Sequence, residues 1–337
     1  MTRTVVVAEA GVNHNGSVEM AHRLIDVAKE SGADVVKFQT FSTELVLRSD
    51  TPLVAYQRKT GAETMFDLVK GLELGKEDFA ALKRHCDTIG IEFLSTAFDL
   101  PSLDYLVGEL GMRRIKIPSG EAVNVPLLRR AGAKGLPIIL STGMCTLEEI
   151  GFALDTLRAA RPKEEVDFTV LHCTTAYPTP VDEIHLRSMT TIRDRFGLPT
   201  GLSDHSEGFL AAAAAAAMGA VMIEKHFTLD RDLPGPDHRA SVDPAGLKTL
   251  IDAVRSVEAM LGSGEKGLRA IERDTIRAVR RSLVAARDIS AGETIREDDL
   301  VALRPEDGIP ARDVDLVVGV AAWADFKRGE VLKWPAR

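Results

Sequence analysis

Short apolar runs alternate with longer stretches in which apolar positions recur at helical spacing, and the alternation continues through most of the chain. The short runs predict eight strands: Thr4 to Ala10, Val35 to Thr40, Glu92 to Ala97, Arg114 to Ser119, Pro137 to Gly143, Asp167 to Thr174, Pro199 to His205 and Val221 to Phe227. Between them, Ser17 to Ser31 with its Ser cap, Lys76 to Ile89, Asn124 to Ala133, and Thr146 to Ala160 with two acidic residues in its first turn read as helices. The alanine-rich run Gly208 to Gly219 reads as a closely packed helix rather than a linker, because alanine has the best helix propensity and lets elements approach. Eight strands, each followed by a helix, over about 250 residues predict an α/β fold of the TIM (β/α)8 barrel type across residues 1–261.

The pattern breaks after Leu261. Residues 262–281 are glycine-rich and then basic, which predicts a connector with some helix. From Ser282 the chain turns to short strands and turns, a small β-rich domain over 282–337, near the lower size limit for independent stability. Within it, DISAGETI and DFKRGEVL form a weak internal repeat.

Composition narrows the function. The 42 basic against 50 acidic residues give −8, which argues against a bulk electrostatic footprint for nucleic acid or an anionic membrane, so any phosphate site must be local. No apolar run approaches the roughly 20 residues of a membrane span. The opening MTRTVVVAEA enters a strand without a leader pattern, and Cys86, Cys145 and Cys173 are widely spaced, so reduced thiols in a cytoplasmic protein are expected.

A barrel enzyme builds its site at the C-terminal ends of its strands, and the reactive residues of this chain collect there. Strand one carries Glu9, strand two Lys37 and Gln39 on one face, strand three Ser95 and Thr96, and strand four Lys116 and Ser119. Ser141 and Thr142, then His172, Thr174, Thr175 and Tyr177, then Ser203 to His205, then Glu224 to His226 continue the series. Lys37 and Lys116 sit in otherwise apolar strands and require an anion; this is either a carboxylate such as Glu9 or Glu224, or a bound phosphate and carboxylate held with the surrounding hydroxyls. His205 and His226 end adjacent strands, so they are either an open metal site or two hydrogen-bonded rim histidines. Glu9 suits a general base or an ion-pair partner equally. Adjacent His172 and Cys173 point to opposite faces of a strand and do not form a nucleophile pair. His22 and His85 read as helix-surface residues, and His185 and His238 as loop residues. Asp237, in the loop PGPDHRAS, is either a solvated carboxylate or a polyol contact.

In order and spacing, AEAGVNHNG, VKFQTF, FLSTAFD, KIPSGE, ILSTGM, LHCTTAYPTP, GLSDH, EKHF and PGPDH resemble the sialic acid synthase family, phosphoenolpyruvate-dependent synthases of nine-carbon sugar acids. The tail is similar to that family's antifreeze-like (SAF, β-clip) domain, so the resemblance runs essentially end to end. It implies condensation of phosphoenolpyruvate with the open-chain aldehyde of an N-acylated mannosamine-type sugar, giving a nonulosonic acid and phosphate. Lys37, Thr96, Lys116, Ser119, Ser141 and Ser203 would hold phosphoenolpyruvate; His205 and His226 would bind a divalent ion, manganese foremost, with magnesium and cobalt as the other options. Glu9 would serve in proton transfer or in orienting water, and Gln39, Tyr177 and Asp237 would contact the sugar. Arg304 would reach in from the other protomer of a domain-swapped homodimer. Thr175 stands where members using N-acetylmannosamine often carry Asn, and TTAYPTP with GPDHRAS is at least as similar to relatives making legionaminic-type acids. Two other readings compete. A synthase joining phosphoenolpyruvate to a phosphorylated sugar, such as the 3-deoxy-octulosonate 8-phosphate type, needs a second phosphate site, for which only Arg231 and Arg239 follow strand eight. A non-catalytic carbohydrate- or ice-binding protein would have no reason to keep the buried charges.

Overall fold

A computed structural model describes residues 3–53, 63–161 and 167–335. Eight parallel strands close into a barrel in chain order: β1 (Val5–Gly11), β2 (Val35–Thr40), β3 (Glu92–Ala97), β4 (Ile115–Ile117), β5 (Ile138–Ser141), β6 (Phe168–Cys173), β7 (Thr200–Asp204) and β8 (Met222–His226), with β8 pairing back onto β1. The strands are buried on both faces, one by the barrel interior and the other by helices, which is why they read in the sequence as unbroken apolar runs. The expected strands are found: β2 and β3 with the expected bounds, β1 shifted by one residue, and the other five shorter by two or three residues. Pro118 ends β4 early, since proline cannot donate to the ladder.

The helices start where the caps predict. Ser17 accepts from the Met20 amide ahead of Val18–Ser31, Asn124 from Leu127 ahead of Val125–Ala133, and Thr146 and Glu149 exchange bonds ahead of Leu147–Ala159. The alanine run is a helix over Leu210–Ala217, with Ala211, Ala212, Ala215 and Ala216 buried against the sheet. In β7, a side chain at Gly201 would place its Cβ 2.2 Å from the Met222 carbonyl, so only glycine allows this approach to β8.

At the base of the barrel, Arg255 from the helix Pro244–Leu261 donates to the Thr4 carbonyl at 2.8 Å and to Asp34 at 2.7 Å, and pairs with Glu258 at 3.0 Å. Glu258 in turn accepts from the Thr4 amide, and Asp34 from the Val6 amide at 2.8 Å and from Arg3. The last helix is thereby tied to the start of β1.

Contacts divide the chain into Met1–Gly262 and Ser263–Arg337, so the expected connector of residues 262–281 falls almost wholly with the second unit. In this unit β9 (Ser282–Ala285) and β10 (Leu300–Leu303) pair antiparallel around a core that includes Leu283, Ile289, Ile295, Ile309, Phe326 and Leu332. The weak repeat corresponds to two equivalent turns. Glu293 accepts from the Ser290 amide and Glu330 from the Lys327 amide; Gly292 and Gly329 take φ of 84° and 87°. The turns cap each other: Asp288 accepts from the Arg328 amide at 2.8 Å and Asp325 from the Ala291 amide at 2.7 Å, while Ile289 and Phe326 exchange backbone bonds. Among the described residues no helix is long and apolar enough to cross a membrane.

Candidate active site at the barrel mouth

Glu9, Lys37, Lys116 and Glu224 come from β1, β2, β4 and β8, alternate with outward-facing neighbours, and converge at the floor of a cavity of about 320 Å³. Lys37 Nζ lies 2.7 Å from Glu9, 3.7 Å from Glu224 and 2.8 Å from Thr96 Oγ1. Lys116 Nζ lies 3.0 Å from Glu224, which also accepts from Ser203 Oγ at 2.8 Å. The anions that the two lysines require are therefore present in the chain itself. Glu224, named from sequence only as an ion-pair partner, is the hub of the cluster.

Two carboxylates in one buried site do not ionise alike. Burial pushes the Glu9 carboxyl up, Lys37 pulls it down and the Glu224 charge raises it again, for a value of about 7. Glu224 is buried too, yet Lys116 and Lys37 together hold it well below the ordinary carboxylate range. Burial lowers Lys116, whereas in Lys37 Glu224 and Glu9 outweigh burial and raise it.

Hydroxyls ring this floor. Ser141 Oγ is buried and has no hydrogen-bond partner among the described residues. Ser119 Oγ accepts from the Gly143 amide at 2.8 Å; a Cβ at Gly143 would sit 2.2 Å from Thr175 Oγ1 and 3.0 Å from Ser119 Oγ, so glycine is what lets these two hydroxyls approach. Gln39 donates to Glu9 at 3.2 Å, and Tyr177 and Asp237 also line the cavity. Burial raises Asp237 to about 6, against a lowering by His205, so it is no freely solvated loop carboxylate.

The two imidazoles lie with ring centroids 5.5 Å apart, and the Tyr177 ring is 4.2 Å from that of His205. His205 Nδ1 is 2.8 Å from the Thr174 carbonyl. A carbonyl only accepts, so the hydrogen is on Nδ1 and the lone pair of the neutral ring is on Nε2. Burial and the neighbouring His205 hold His226 neutral, and its Nδ1 is buried without a partner among the described residues. Burial lowers the His205 pKa, but Cys173 and the Thr174 carbonyl outweigh it and raise the value, whereas His226 is held neutral. Nε2 of His205, once that ring gives up its extra proton, and the partnerless nitrogen of His226 fit a divalent ion in one polar cavity. Among the described residues no group of three His, Cys, Asp or Glu forms a closed cage, so an ion held by this pair would keep open positions.

Of the residues singled out at the strand ends, Ser95, Thr142, His172, Thr174, Asp204 and Lys225 are not in the cavity lining, and Arg304 belongs to the second unit, exposed, with Nε donating to the Val279 carbonyl at 2.8 Å. His172 bonds the Ile184 carbonyl on the other face of β6, as alternation requires. Cys173 faces the cavity, with Sγ 3.7 Å from His205 Nδ1, a cross-strand neighbour that reasoning on adjacent residues did not reach. His238, read as a loop residue, is fully buried between Thr228 and Asn15. Sequence reasoning also missed an apolar wall of Val46, Leu47, Met65, Leu68, Val69 and Leu72, with Phe41 and Phe98 also in the lining, because these residues fall in short stretches without a regular period.

A closed eight-stranded barrel with paired charges, hydroxyls and imidazoles at the C-terminal ends of its strands defines a TIM-barrel enzyme. The chain matches the NeuB family over residues 24–266 and the SAF domain over residues 280–336. It is 44% identical to the N,N'-diacetyllegionaminic acid synthase of Legionella pneumophila over 98% of this chain and 93% of that protein. To the enzyme of the same name from Campylobacter jejuni it is 43% identical, over 99% of this chain and all of that protein. Among solved structures, the N-acetylneuraminic acid synthetase of Leptospira borgpetersenii, in complex with citrate, superposes with a TM-score of 0.70 at 33% identity, covering 81% of this chain and 90% of that one. The chain belongs to the NeuB family and carries a C-terminal SAF domain.

Proposed function

We propose that the chain condenses phosphoenolpyruvate with the open-chain aldehyde of an N-acylated mannosamine-type sugar, giving a nonulosonic acid and phosphate. The observation that carries this reading is the meeting, in one cavity, of a two-lysine anion site with two imidazoles and an apolar wall. Lys37 and Lys116, with Thr96, Ser119, Ser141 and Ser203, hold the phosphate and carboxylate as charge-assisted donors. The ligand takes over as partner to Lys37 and frees Glu9, whose value of about 7 suits it to accept or return a proton as water adds at C2. Gln39, Thr175, Tyr177 and Asp237 orient the acceptor. His205 and His226 would hold the divalent ion, manganese foremost, whose chemistry is to polarise a carbonyl oxygen.

The acceptor follows from the wall. A hydroxyl pressed on it loses water without a new bond, at about 1–3 kcal/mol, whereas a buried methyl gains roughly 0.8 kcal/mol. The wall therefore favours an acceptor with acetamido and deoxy positions over a fully hydroxylated one, and the legionaminic-type product over neuraminate. No arginine is among the described residues of the lining, and Arg231 is engaged by Glu207 at 3.1 Å, which disfavours a phosphorylated acceptor. To the same proposal belong a cytoplasmic setting and a domain-swapped homodimer in which Arg304 of the partner subunit completes the acceptor site; a strictly monomeric species in light scattering would count against the latter.

The test is phosphate release from phosphoenolpyruvate with manganese, offering 2,4-diacetamido-2,4,6-trideoxymannose, N-acetylmannosamine and arabinose 5-phosphate in turn. Turnover fastest with the diacetamido sugar is expected. Turnover with the sugar phosphate alone would overturn the acceptor assignment, and none with any acceptor would return the chain to a binding role.

A further inference from the structure

Alternation along β7 and β8 turns Ser203 and His205, and Glu224 and His226, toward the cavity, and turns Asp204 and Lys225 to the opposite face, where apolar residues are the rule. These two are register partners and form an ion pair at 2.8 Å with side chains 1% and 0% exposed. Asp204 Oδ1 also accepts from the Ser206 amide at 2.8 Å and hydroxyl at 2.6 Å, and Lys225 donates to the Ser206 carbonyl. Carboxylate and ammonium together thus clamp the turn that follows β7, with His205 at its centre, onto the point of β8 that lies between Glu224 and His226.

Such a pair is not needed for stability, since well-packed apolar residues replace buried ion pairs at little cost or with gain. What apolar residues do not replace is direction. Each bond here fixes one atom of the 204–206 turn against one atom of β8. We infer that Asp204 and Lys225 are positioning residues that set the His205 imidazole relative to Glu224 and His226. Neither is in the cavity lining, and both act through the two strands. The inference rests in part on the reading of the imidazoles as an ion-binding pair.

The experiment compares Asp204→Asn, the apolar double variant Asp204→Leu with Lys225→Met, and Asp34→Asn, which breaks an ion pair at the barrel base. In metal-free protein labelled with 15N-histidine, the ring resonances of His205 and His226 are expected to move in the first two variants and to stay in place in Asp34→Asn. With manganese alone, the first two should bind ten- to a hundredfold more weakly, the size typical of lost outer-shell partners, with phosphoenolpyruvate affinity within about twofold. The double variant should keep or regain its Tm without regaining manganese affinity. Unmoved ring resonances, or a double variant with both Tm and manganese affinity at the parent level, would overturn the inference. A parent protein that binds no manganese would instead sink the ion-binding reading, and the ring resonances would still decide the positioning role.

Discussion

The two ends of the barrel use charge in opposite ways. At the base, Arg255 faces both Asp34 and Glu258, those carboxylates also accept backbone amides, and every member has an opposite charge and a hydrogen bond close by. At the mouth, two lysines and two glutamates share a buried floor, one carboxyl is pushed up to about 7, and Ser141 Oγ and His226 Nδ1 lack partners among the described residues. The same residue types thus complete the fold at one end and leave it unfinished at the other. Local rules are satisfied where only stability is at stake, and they fail where a ligand is to supply the missing partners.

The largest effect is expected at the mouth. Lys116→Ala leaves Glu224 buried with the more distant Lys37 and removes a donor for the anion, and kcat/KM for phosphoenolpyruvate should fall by about 10²–10³ with far-UV circular dichroism unchanged. Wild-type affinity for phosphoenolpyruvate in this variant would erase the contrast between the two ends. Arg255→Met should do the reverse, lowering stability by about 1–3 kcal/mol while kcat/KM stays within about twofold, as calorimetry and initial rates on one preparation would show.

A further effect is in pH, and it carries opposite signs at the two ends. Glu9 holds its proton in the folded state to about 7 against 4.5 unfolded, so between these values the unfolded state loses protons first and stability falls as pH rises. Glu258 is buried in part, but the Thr4 amide and Arg255 hold it below 4.5; its contribution is complete above that value and is lost as pH falls through the depressed one. Denaturant midpoints across pH 3–8 should therefore flatten between 4.5 and 7 in Glu9→Gln and flatten on the acid side in Glu258→Gln. Identical profiles in the two variants would mean that mouth and base do not differ in the way the geometry implies.

Most of the barrel was legible because each strand is buried on both faces and so announces itself as an apolar run bounded by caps such as Ser17 and Thr146. The site was legible for a related reason: Lys37 and Lys116 interrupt those runs, and a charge inside an apolar strand needs an explanation. What pairing does across strands was harder to see. Cys173 was weighed only against His172, its chain neighbour, although its partner is His205 on the next strand. Glu224 became the hub only once β4, β7 and β8 were brought together. The wall of Val46, Leu47, Met65, Leu68, Val69 and Leu72 gave no signal, because the short helices Thr43–Val46 and Met65–Lys70 are too brief to show a period.

The reciprocal turns of the second unit make each depend on the other. Asp288 and Asp325 stand 325 − 288 = 37 positions apart, and each closes the turn that belongs to the other half. Because each cap is supplied by the other turn, neither turn can be lost alone. A stop codon before Asp325 would remove only the second turn from the gene, yet it would also strip the Ala291 amide of its acceptor, so the loss would reach back into the turn that remained.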